Sequence, residues 1–402
     1  MGRFGCVHST APRQARRIAG MGETIFAEMS ALAARTGAVN LGQGFPDTDG
    51  PQALLAAAAE AVHHGPNQYA PGAGLPALRQ AIARHQQRHY DLDVDPDTQV
   101  AVTTGCTEAI AGALLGLVDP GDEVVVLEPY YDSYTAMIDF AGGVRRPVTL
   151  RAPDFRLDPA ELEAAVSART KLILLNTPHN PTGRVLDDTE LAAVARVARE
   201  HDLIVVTDEV YEHLTFARPH VPIATLPGMA ERTLTLSSAG KSWSVTGWKV
   251  GWATGPADLV GAVLGAKQWL TFTSGAPLQA GVAAVLDGSG DPEGFPARLR
   301  VTLEQRRDQL VTGLRDAGLT TYVPEGTYFA LTDVGDLGWA SGQDFCRALP
   351  ERAGVVAVPA EVFYDAPDAP GAGRRLVRWA FCKQPDVIAE AVERLRRGDL
   401  GA

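Results

Sequence analysis

The middle of this 402-residue chain alternates short apolar runs with alanine-rich stretches, and this alternation restricts the possible folds more than any other feature. Continuous apolar runs separated by helices are typical of a mostly parallel sheet covered on both faces. We therefore predict an α/β fold in which helices flank such a central sheet. The predicted strands are residues 99–103, 123–127, 171–175, 203–207 and 233–236, and the predicted helices are residues 107–117 and 188–200.

The pattern changes near residue 291, which predicts a second, smaller α+β domain. A long arginine-rich helix is expected there, followed by short strands; the helix is residues 296–317 and the strands are residues 327–331, 355–358 and 376–381. The chain is accordingly divided into a flexible tail (1–24), a segment that packs with the small domain (25–50), a large domain (51–290) and the small domain (291–402). The arginine-rich first twenty residues indicate a tail, or sequence before a start at Met21, rather than a targeting signal.

Charge and composition exclude several classes of function. The formal net charge of −12 argues against general nucleic-acid binding, which favours basic surfaces. No apolar run approaches the length that spans a membrane. The four cysteines are far apart and show no metal-binding spacing, so we expect reduced thiols in a cytoplasmic protein and predict no metal site.

Unusual polar motifs directly follow several of the predicted strands. Gly105, Cys106 and Thr107 open a helix, where backbone N–H groups and a glycine suit a phosphate group. Residues 176–183 form a proline-rigidified turn that contains Asn180, and Asp208 ends a buried strand, where a carboxylate is costly unless it has a partner. Because ligands bind at the carboxyl ends of parallel strands, these motifs predict one composite site.

Lys241 lies in a Ser/Gly-rich stretch (residues 237–251) that also contains Lys249. The chain has only five lysines, and almost all its other basic residues are arginines, which cannot form a Schiff base. A lysine that persists in such a turn is expected to be there for its nucleophilic amine. A surface loop with incidental lysines is the ordinary alternative, and the motifs upstream argue against it.

Taken in order, these motifs resemble those of the fold-type I pyridoxal-phosphate enzymes, and of the class I/II aminotransferases in particular. The resemblance runs over nearly the whole chain and includes the stretches at residues 41–47, 67–69 and 377–379. It is strongest to the subgroup of N-succinyldiaminopimelate, kynurenine/glutamine and methionine aminotransferases. It implies transamination by a ping-pong mechanism with pyridoxal 5′-phosphate as cofactor, with lysine biosynthesis as one expected role.

The resemblance also implies a role for individual residues. Lys241 would carry the cofactor and move protons, Asp208 would pair with the pyridine nitrogen, and Arg378 would bind the substrate α-carboxylate. The remaining cofactor contacts would come from Gly105, Cys106, Thr107, Tyr131, Asn180, Tyr211, Ser238 and Lys249. Asn180 and Gly44 would assist Arg378. Tyr69 would reach the cofactor of a neighbouring subunit, which implies a homodimer with shared sites.

The expected substrate pocket carries no second arginine. The segment that would line it, residues 269–275, contains Phe272 as a contact from the partner subunit. Such a pocket suits a long, aromatic or thioether side chain, or N-succinyl-2-amino-6-oxopimelate if another group meets the distal carboxylates. Arg145, Arg146 and Arg184 are candidates for that group.

Two other functions use the same fold. A cysteine-conjugate β-lyase would use the same residues on a substrate with a good leaving group, and an aminotransferase of specialised metabolism would act on an unusual amino acid. A cofactor-binding regulator without catalysis is disfavoured because Lys241, Asp208 and Arg378 are all present.

Overall fold

A computed structural model of the chain describes residues 14–18, 21–287 and 294–402, so most of the predicted tail at residues 1–24 lies outside the described residues. The α-helices in this part of the chain are α1 (Ile25–Thr36), α2 (Gln52–His64), α3 (Pro76–Tyr90), α4 (Gly105–Leu117), α5 (Asp132–Ala141), α6 (Pro159–Ala165), α7 (Asp188–Glu200), α8 (Ala239–Ser242), α9 (Ala257–Lys267), α10 (Ala276–Leu286), α11 (Gly294–Asp316), α12 (Gly342–Ala353) and α13 (Pro385–Arg397).

The β-strands form one large and two small sheets. They are β1 (Val39–Asn40), β2 (Val100–Thr104), β3 (Glu123–Glu128), β4 (Val144–Thr149), β5 (Thr170–Asn176), β6 (Ile204–Asp208), β7 (Thr233–Ser238), β8 (Val250–Thr254), β9 (Thr320–Tyr322), β10 (Phe329–Asp333), β11 (Val355–Val356), β12 (Val358–Pro359) and β13 (Leu376–Ala380).

The large sheet has seven strands in the order β2-β8-β7-β6-β5-β3-β4. All neighbouring pairs are parallel except those made by β8, which runs antiparallel to both β2 and β7. The strands β3, β7 and β8 are buried along their whole length; in β3, for example, Val124, Val125 and Val126 are at most 1% exposed. The predicted α/β fold with a mostly parallel, helix-flanked sheet is confirmed.

Local sequence explains where the covering helices begin. α7 starts with a capping box, in which the Asp187 side chain accepts from the backbone of Glu190 and the Glu190 side chain accepts from the backbone of Asp187. α4 starts at Gly105, whose φ of +72° turns the chain sharply from β2 into the helix. This turn places the N-terminus of α4 at the carboxyl edge of the sheet.

The C-terminal part contains an antiparallel four-stranded sheet, β12-β13-β10-β9, packed with α11, α12 and α13. β1, from the N-terminal segment, pairs in parallel with β11. The predicted strand at residues 355–358 is wrong in detail, because it is divided between β11 and β12 in two different sheets. The division of the chain into domains at residues 50 and 290 stays a prediction.

Across the described residues, no helix is both long and apolar enough to cross a membrane.

Candidate active site

A cavity of about 240 Å³ lies at the carboxyl edge of the large sheet, where β2, β5, β6 and β7 end. The structure brings twelve of the fourteen residues predicted for the site into its lining. These are Gly44, Gly105, Cys106, Thr107, Tyr131, Asn180, Asp208, Tyr211, Ser238, Lys241, Lys249 and Arg378. Segments from distant parts of the sequence therefore meet in one place, as expected for the ends of neighbouring parallel strands.

One end of the cavity is built to receive an anion. The N-terminus of α4 is there, with its unpaired N–H groups and the positive end of its dipole. Lys249 reaches the same turn and donates from Nζ to Thr107 Oγ1 over 3.3 Å. A Cβ on Gly105 would lie 3.1 Å from Lys249 Cε, so glycine is what allows this close approach. Ser238 also lines the cavity.

Asp208 lies at the end of β6 and is only 4% exposed. Burial raises the pKa of its carboxyl above the usual value, while hydrogen bonds from Tyr134, the Val210 backbone and Cys106 oppose that shift. The Tyr134 hydroxyl donates to Oδ2 over 2.8 Å, and the backbone N–H of Val210 donates to Oδ1 over 3.2 Å. The carboxylate is thus fixed in position, facing a cavity that also contains the amine of Lys241.

Lys241 lies on the short helix α8, directly after β7. Its Nζ lies 5.9 Å from the ring centroid of Tyr211 and 5.7 Å from that of Tyr328. Burial lowers the pKa of the amine, and Cys382 and Asp208 act in the opposite direction. A lowered pKa increases the fraction of neutral amine, which is the nucleophilic form.

Arg378 lies on β13 and is 2% exposed. Its Nη1 donates to Asn180 Oδ1 over 3.1 Å and its Nη2 donates to the carbonyl of Gly42 over 3.0 Å. The Phe329 ring covers the guanidinium at 4.1 Å, and burial lowers the arginine pKa to about 10. Among the described residues Nε has no hydrogen-bond partner and no carboxylate pairs with this cation, so its capacity to bind an anion is unused.

The predicted assistance from Asn180 and Gly44 in binding the substrate carboxylate stays a prediction, and both residues line the cavity together with Arg378. Asn180 makes a direct hydrogen bond, but the backbone carbonyl next to the guanidinium belongs to Gly42. The carbonyl of Gly44 instead accepts from the Tyr328 hydroxyl over 2.6 Å.

Three contributors to the site were not predicted from the sequence. Tyr134 holds Asp208, Tyr328 lies over Lys241, and Asn176 positions Asn180 by accepting from its backbone N–H over 2.7 Å. Asn176 was the one with a sequence signal, since it opens the same Asn-Pro motif. The role of Tyr134 depends on a hydrogen bond from α5 to the end of β6, 74 residues away, which no local pattern reveals.

Tyr69 and Phe272 do not line the cavity. They lie against each other on the surface, edge to face with ring centroids 5.3 Å apart, and they are 83% and 54% exposed. Trp269, also 83% exposed, lies three residues before Phe272 in the same segment. Such exposed aromatic side chains are unusual on a surface that faces only water.

The three arginines considered for a distal carboxylate are not at the cavity. Arg145 pairs with Asp139 and Asp365, and Arg146 pairs with Glu123. Arg184 is buried in an ion-pair cluster with Asp187, Glu190 and Glu325. Because acidic neighbours already neutralise these guanidinium groups, that candidate role is wrong for this fold. Among the described residues, the cationic side chains in the cavity lining are Lys241, Lys249 and Arg378.

Comparison with known proteins agrees with this site. Residues 36–395 match the family model for aminotransferase class I and II. A relative from Mycobacterium tuberculosis, a probable N-succinyldiaminopimelate aminotransferase, is 50% identical over 385 residues, which cover 92% of this chain and 95% of the relative. The methionine aminotransferase of Escherichia coli is 40% identical over 378 residues, covering 94% of this chain and 96% of the relative.

Solved structures give the same result. The N-succinyldiaminopimelate aminotransferase structure from Mycobacterium tuberculosis superposes with a TM-score of 0.91 at 50% identity, covering 95% of this chain and 99% of that one. The chain therefore belongs to the class I and II aminotransferases. Its cofactor is pyridoxal phosphate, and its substrates are amino acids and 2-oxo acids.

The donor set at the cavity fits that cofactor. A lysine and a carboxylate, here Lys241 and Asp208, are the groups that such enzymes use at the aldehyde and at the pyridine nitrogen. The start of α4, with Lys249 beside it, suits the phosphate.

Proposed function

We propose that this aminotransferase takes its amino group from N-succinyldiaminopimelate or a closely related long-chain amino acid and transfers it to 2-oxoglutarate in a ping-pong cycle. The observation that carries the catalytic part is the convergence of Lys241, Asp208 and Arg378 on one cavity. The long-chain donor is supported by the relative with 50% identity.

We assign the cofactor contacts as follows. Lys241 would carry the cofactor, and Asp208 would hold a proton on the pyridine nitrogen, with Tyr134 fixing the carboxylate. Asn180 and Tyr211 would contact the phenolic oxygen, and Tyr131 would lie against the ring. The phosphate would be bound by Gly105, Cys106, Thr107, Ser238 and Lys249.

We assign the substrate contacts to Arg378, Asn180 and the Gly42–Gly44 backbone. The buried guanidinium already uses Nη1 and Nη2 within the protein, and its Nε is free to take part in a fork around the α-carboxylate. The Phe329 ring shields this pairing from water. Low local polarity strengthens an ion pair of this kind when both partners are present.

When bound, pyridoxal phosphate supplies the carbonyl that accepts the amino group and the ring that withdraws electrons from the substrate Cα. Lys241, whose amine lies in the cavity, would be the base that accepts the substrate Cα proton and the acid that gives it back. Proton transfer of this kind contributes roughly 10²–10⁴-fold to a rate. Asp208 would hold the pyridine nitrogen in its protonated form, and Arg378, by binding the α-carboxylate, would keep Cα near Lys241.

We also propose that the enzyme is a homodimer in which Tyr69 and Phe272 enter the partner's cavity. Their mutual contact, high exposure and absence from the cavity of their own subunit support this arrangement. Lys267 stabilises the segment by donating to the carbonyl of Phe272 over 3.0 Å and to that of Gly72 over 3.2 Å. We place the enzyme in the cytoplasm, in keeping with its free, buried thiols Cys106, Cys346 and Cys382.

The test is the rate of glutamate formation from 2-oxoglutarate with N-succinyldiaminopimelate, methionine, kynurenine or phenylalanine as donor. We expect the highest kcat/KM with N-succinyldiaminopimelate. A preference for any of the other donors by tenfold or more would refute the substrate assignment and leave transamination intact. Pyruvate and ammonia released from a cysteine conjugate without any 2-oxo acid would instead indicate the β-lyase alternative.

A further inference from the structure

A second cavity, of about 400 Å³, lies away from the active site between α3 and the turn that follows β6. Three histidines face one another there: His85 and His89 on α3, and His213 in the turn. Residues four apart on a helix lie on the same face, so α3 presents two imidazoles together. One ring nitrogen from each histidine lies within 4.8 Å of the other two.

The imidazoles are packed as a cluster. Their ring centroids are 4.5 Å apart for His85 and His89, 5.0 Å for His85 and His213, and 4.9 Å for His89 and His213. Nε2 of His85 lies 2.8 Å from Nε2 of His213. A hydrogen bond between two ring nitrogens requires one of them to accept, so at least one imidazole is neutral and offers a lone pair.

Two groups in the cluster lack the partners that burial normally demands. His85 is 1% exposed, and its Nδ1 has no hydrogen-bond partner among the described residues. Glu212, 6% exposed and adjacent to His213, accepts from the hydroxyls of Tyr90 and Ser237, but no lysine or arginine pairs with it in the described chain. A carboxylate buried without a cation is costly, and a bound cation nearby would offset that cost.

We propose that His85, His89 and His213 form a binding site for a divalent transition metal, with Zn²⁺ as the occupant. Three imidazole ligands and one open position are a common zinc arrangement, and the open position would face the second cavity. Zn–N bonds of roughly 2.0–2.1 Å place tetrahedral ligand nitrogens about 3.3 Å apart, so His85 and His213 need to separate by only about 0.5 Å. His89, the exposed member of the cluster, supplies the third nitrogen, which already lies within 4.8 Å of the other two.

The location of the site suggests what the metal does. It joins α3 to the turn after β6, and that turn also holds Tyr211 of the active site. Glu212 links the turn to β7 through Ser237, which directly precedes Ser238. The metal therefore links α3 to the turn that supports the cofactor cavity, and it lies outside that cavity. We expect it to stabilise the protein.

The experiment uses cofactor-loaded enzyme, freed of metal by a chelator and then titrated with Zn²⁺. Bound metal is counted by elemental analysis, affinity is measured by calorimetry, and Co²⁺ replaces Zn²⁺ to give the visible bands of a tetrahedral site. We expect one Zn²⁺ per chain and a melting temperature that rises with Zn²⁺. His89→Ala should weaken binding at least about tenfold and abolish the rise.

Controls separate this site from other histidines and from misfolding. His64→Ala removes an exposed histidine on α2 outside the cluster and should bind Zn²⁺ as the wild type does. His89→Asp keeps a possible ligand and should bind more tightly than His89→Ala. Because His64 and His89 are both exposed, the variants His64→Ala, His89→Ala and His89→Asp should keep the wild-type melting temperature when a chelator is present. Absence of stoichiometric Zn²⁺ binding, or equal affinity in the wild type and His89→Ala, would overturn the proposal.

Discussion

Arg378 shows how one residue can be kept ready for a ligand at a cost to the free protein. Its guanidinium is buried against Phe329 and bound by Asn180 and the Gly42 carbonyl, yet no carboxylate neutralises it in the described chain. A buried cation without a counter-ion is unfavourable, which is reflected in its lowered pKa. The substrate α-carboxylate is the group that would complete this pair.

Arg378→Lys should therefore lower kcat/KM for the amino donor by about 10–100-fold, because an ammonium cannot form the fork and charged hydrogen bonds are worth about 1.5–3 kcal/mol. The loss should appear mainly in KM, with the cofactor absorption band unchanged. Arg375→Lys, at an exposed ion pair three residues earlier, is the matched control and should behave as the wild type. Similar kinetics for both variants would contradict the assignment of Arg378.

The lowered pKa of Lys241 has a measurable consequence in the apoenzyme. Burial disfavours the ammonium form, so the neutral amine that captures the cofactor aldehyde becomes available at a lower pH than for an ordinary lysine. The rate of cofactor capture, followed by visible absorbance, should rise with pH and level off with a midpoint below 10.5. N-acetyl-lysine amide is the reference compound, and a protein midpoint at or above its value would contradict this expectation.

At the scale of elements, the antiparallel strand β8 lies against the end of the cavity where α4 begins. It lies between β2 and β7, and Gly251 lets it pass directly beneath the turn into α4. A Cβ at this position would lie 2.5 Å from the carbonyl carbon of Gly105 and 2.6 Å from the backbone nitrogen of Cys106. Both are backbone atoms, so a side chain there must displace β8 or the start of α4.

Gly251→Ala should weaken cofactor binding and lower stability by about 1–3 kcal/mol, the usual cost of overpacking. Fluorescence titration of the apoenzyme with pyridoxal phosphate and a thermal melt measure the two effects. Gly261→Ala on α9 is the control, because a Cβ there meets nothing within 4 Å and the helix should be unharmed or slightly stabilised. Wild-type cofactor affinity in Gly251→Ala would argue against this packing account.

The sequence predicted the buried strands well because burial on both faces leaves a continuous apolar run. It missed β4, whose Arg145, Arg146 and Pro147 are tolerated since the strand lies at the sheet edge. It also missed β8, because Gly251 interrupts the run of apolar residues in that strand. Tyr134 was missed as a support of Asp208 because the two residues are 74 positions apart and meet only through packing.

At the scale of the whole molecule, the proposed dimer would make each active site a joint product of two chains. Tyr69 and Phe272 are exposed on the isolated chain, whereas the lysine they would serve is enclosed in the partner's cavity. When a site needs residues from two chains, two inactive variants can complement each other in a hybrid dimer. Each chain then supplies the residue that the other chain has lost.

Lys241→Ala should be inactive alone, and Tyr69→Ala should be strongly impaired. When the two are unfolded, mixed equally and refolded, half the dimers are hybrids with one intact site, so activity should return to about a quarter of the wild-type value. Refolding each variant by itself is the control. Activity in the mixture no higher than the mean of the two separate samples would refute the shared site.

The most direct test of the central claim is the visible absorption spectrum of the cofactor-loaded enzyme during titration with amino donors. We predict a yellow band that bleaches with N-succinyldiaminopimelate, returns on adding 2-oxoglutarate, and is displaced in Lys241→Ala, which should not turn over. A Lys241→Ala variant that keeps the wild-type band and transaminates normally would contradict the account.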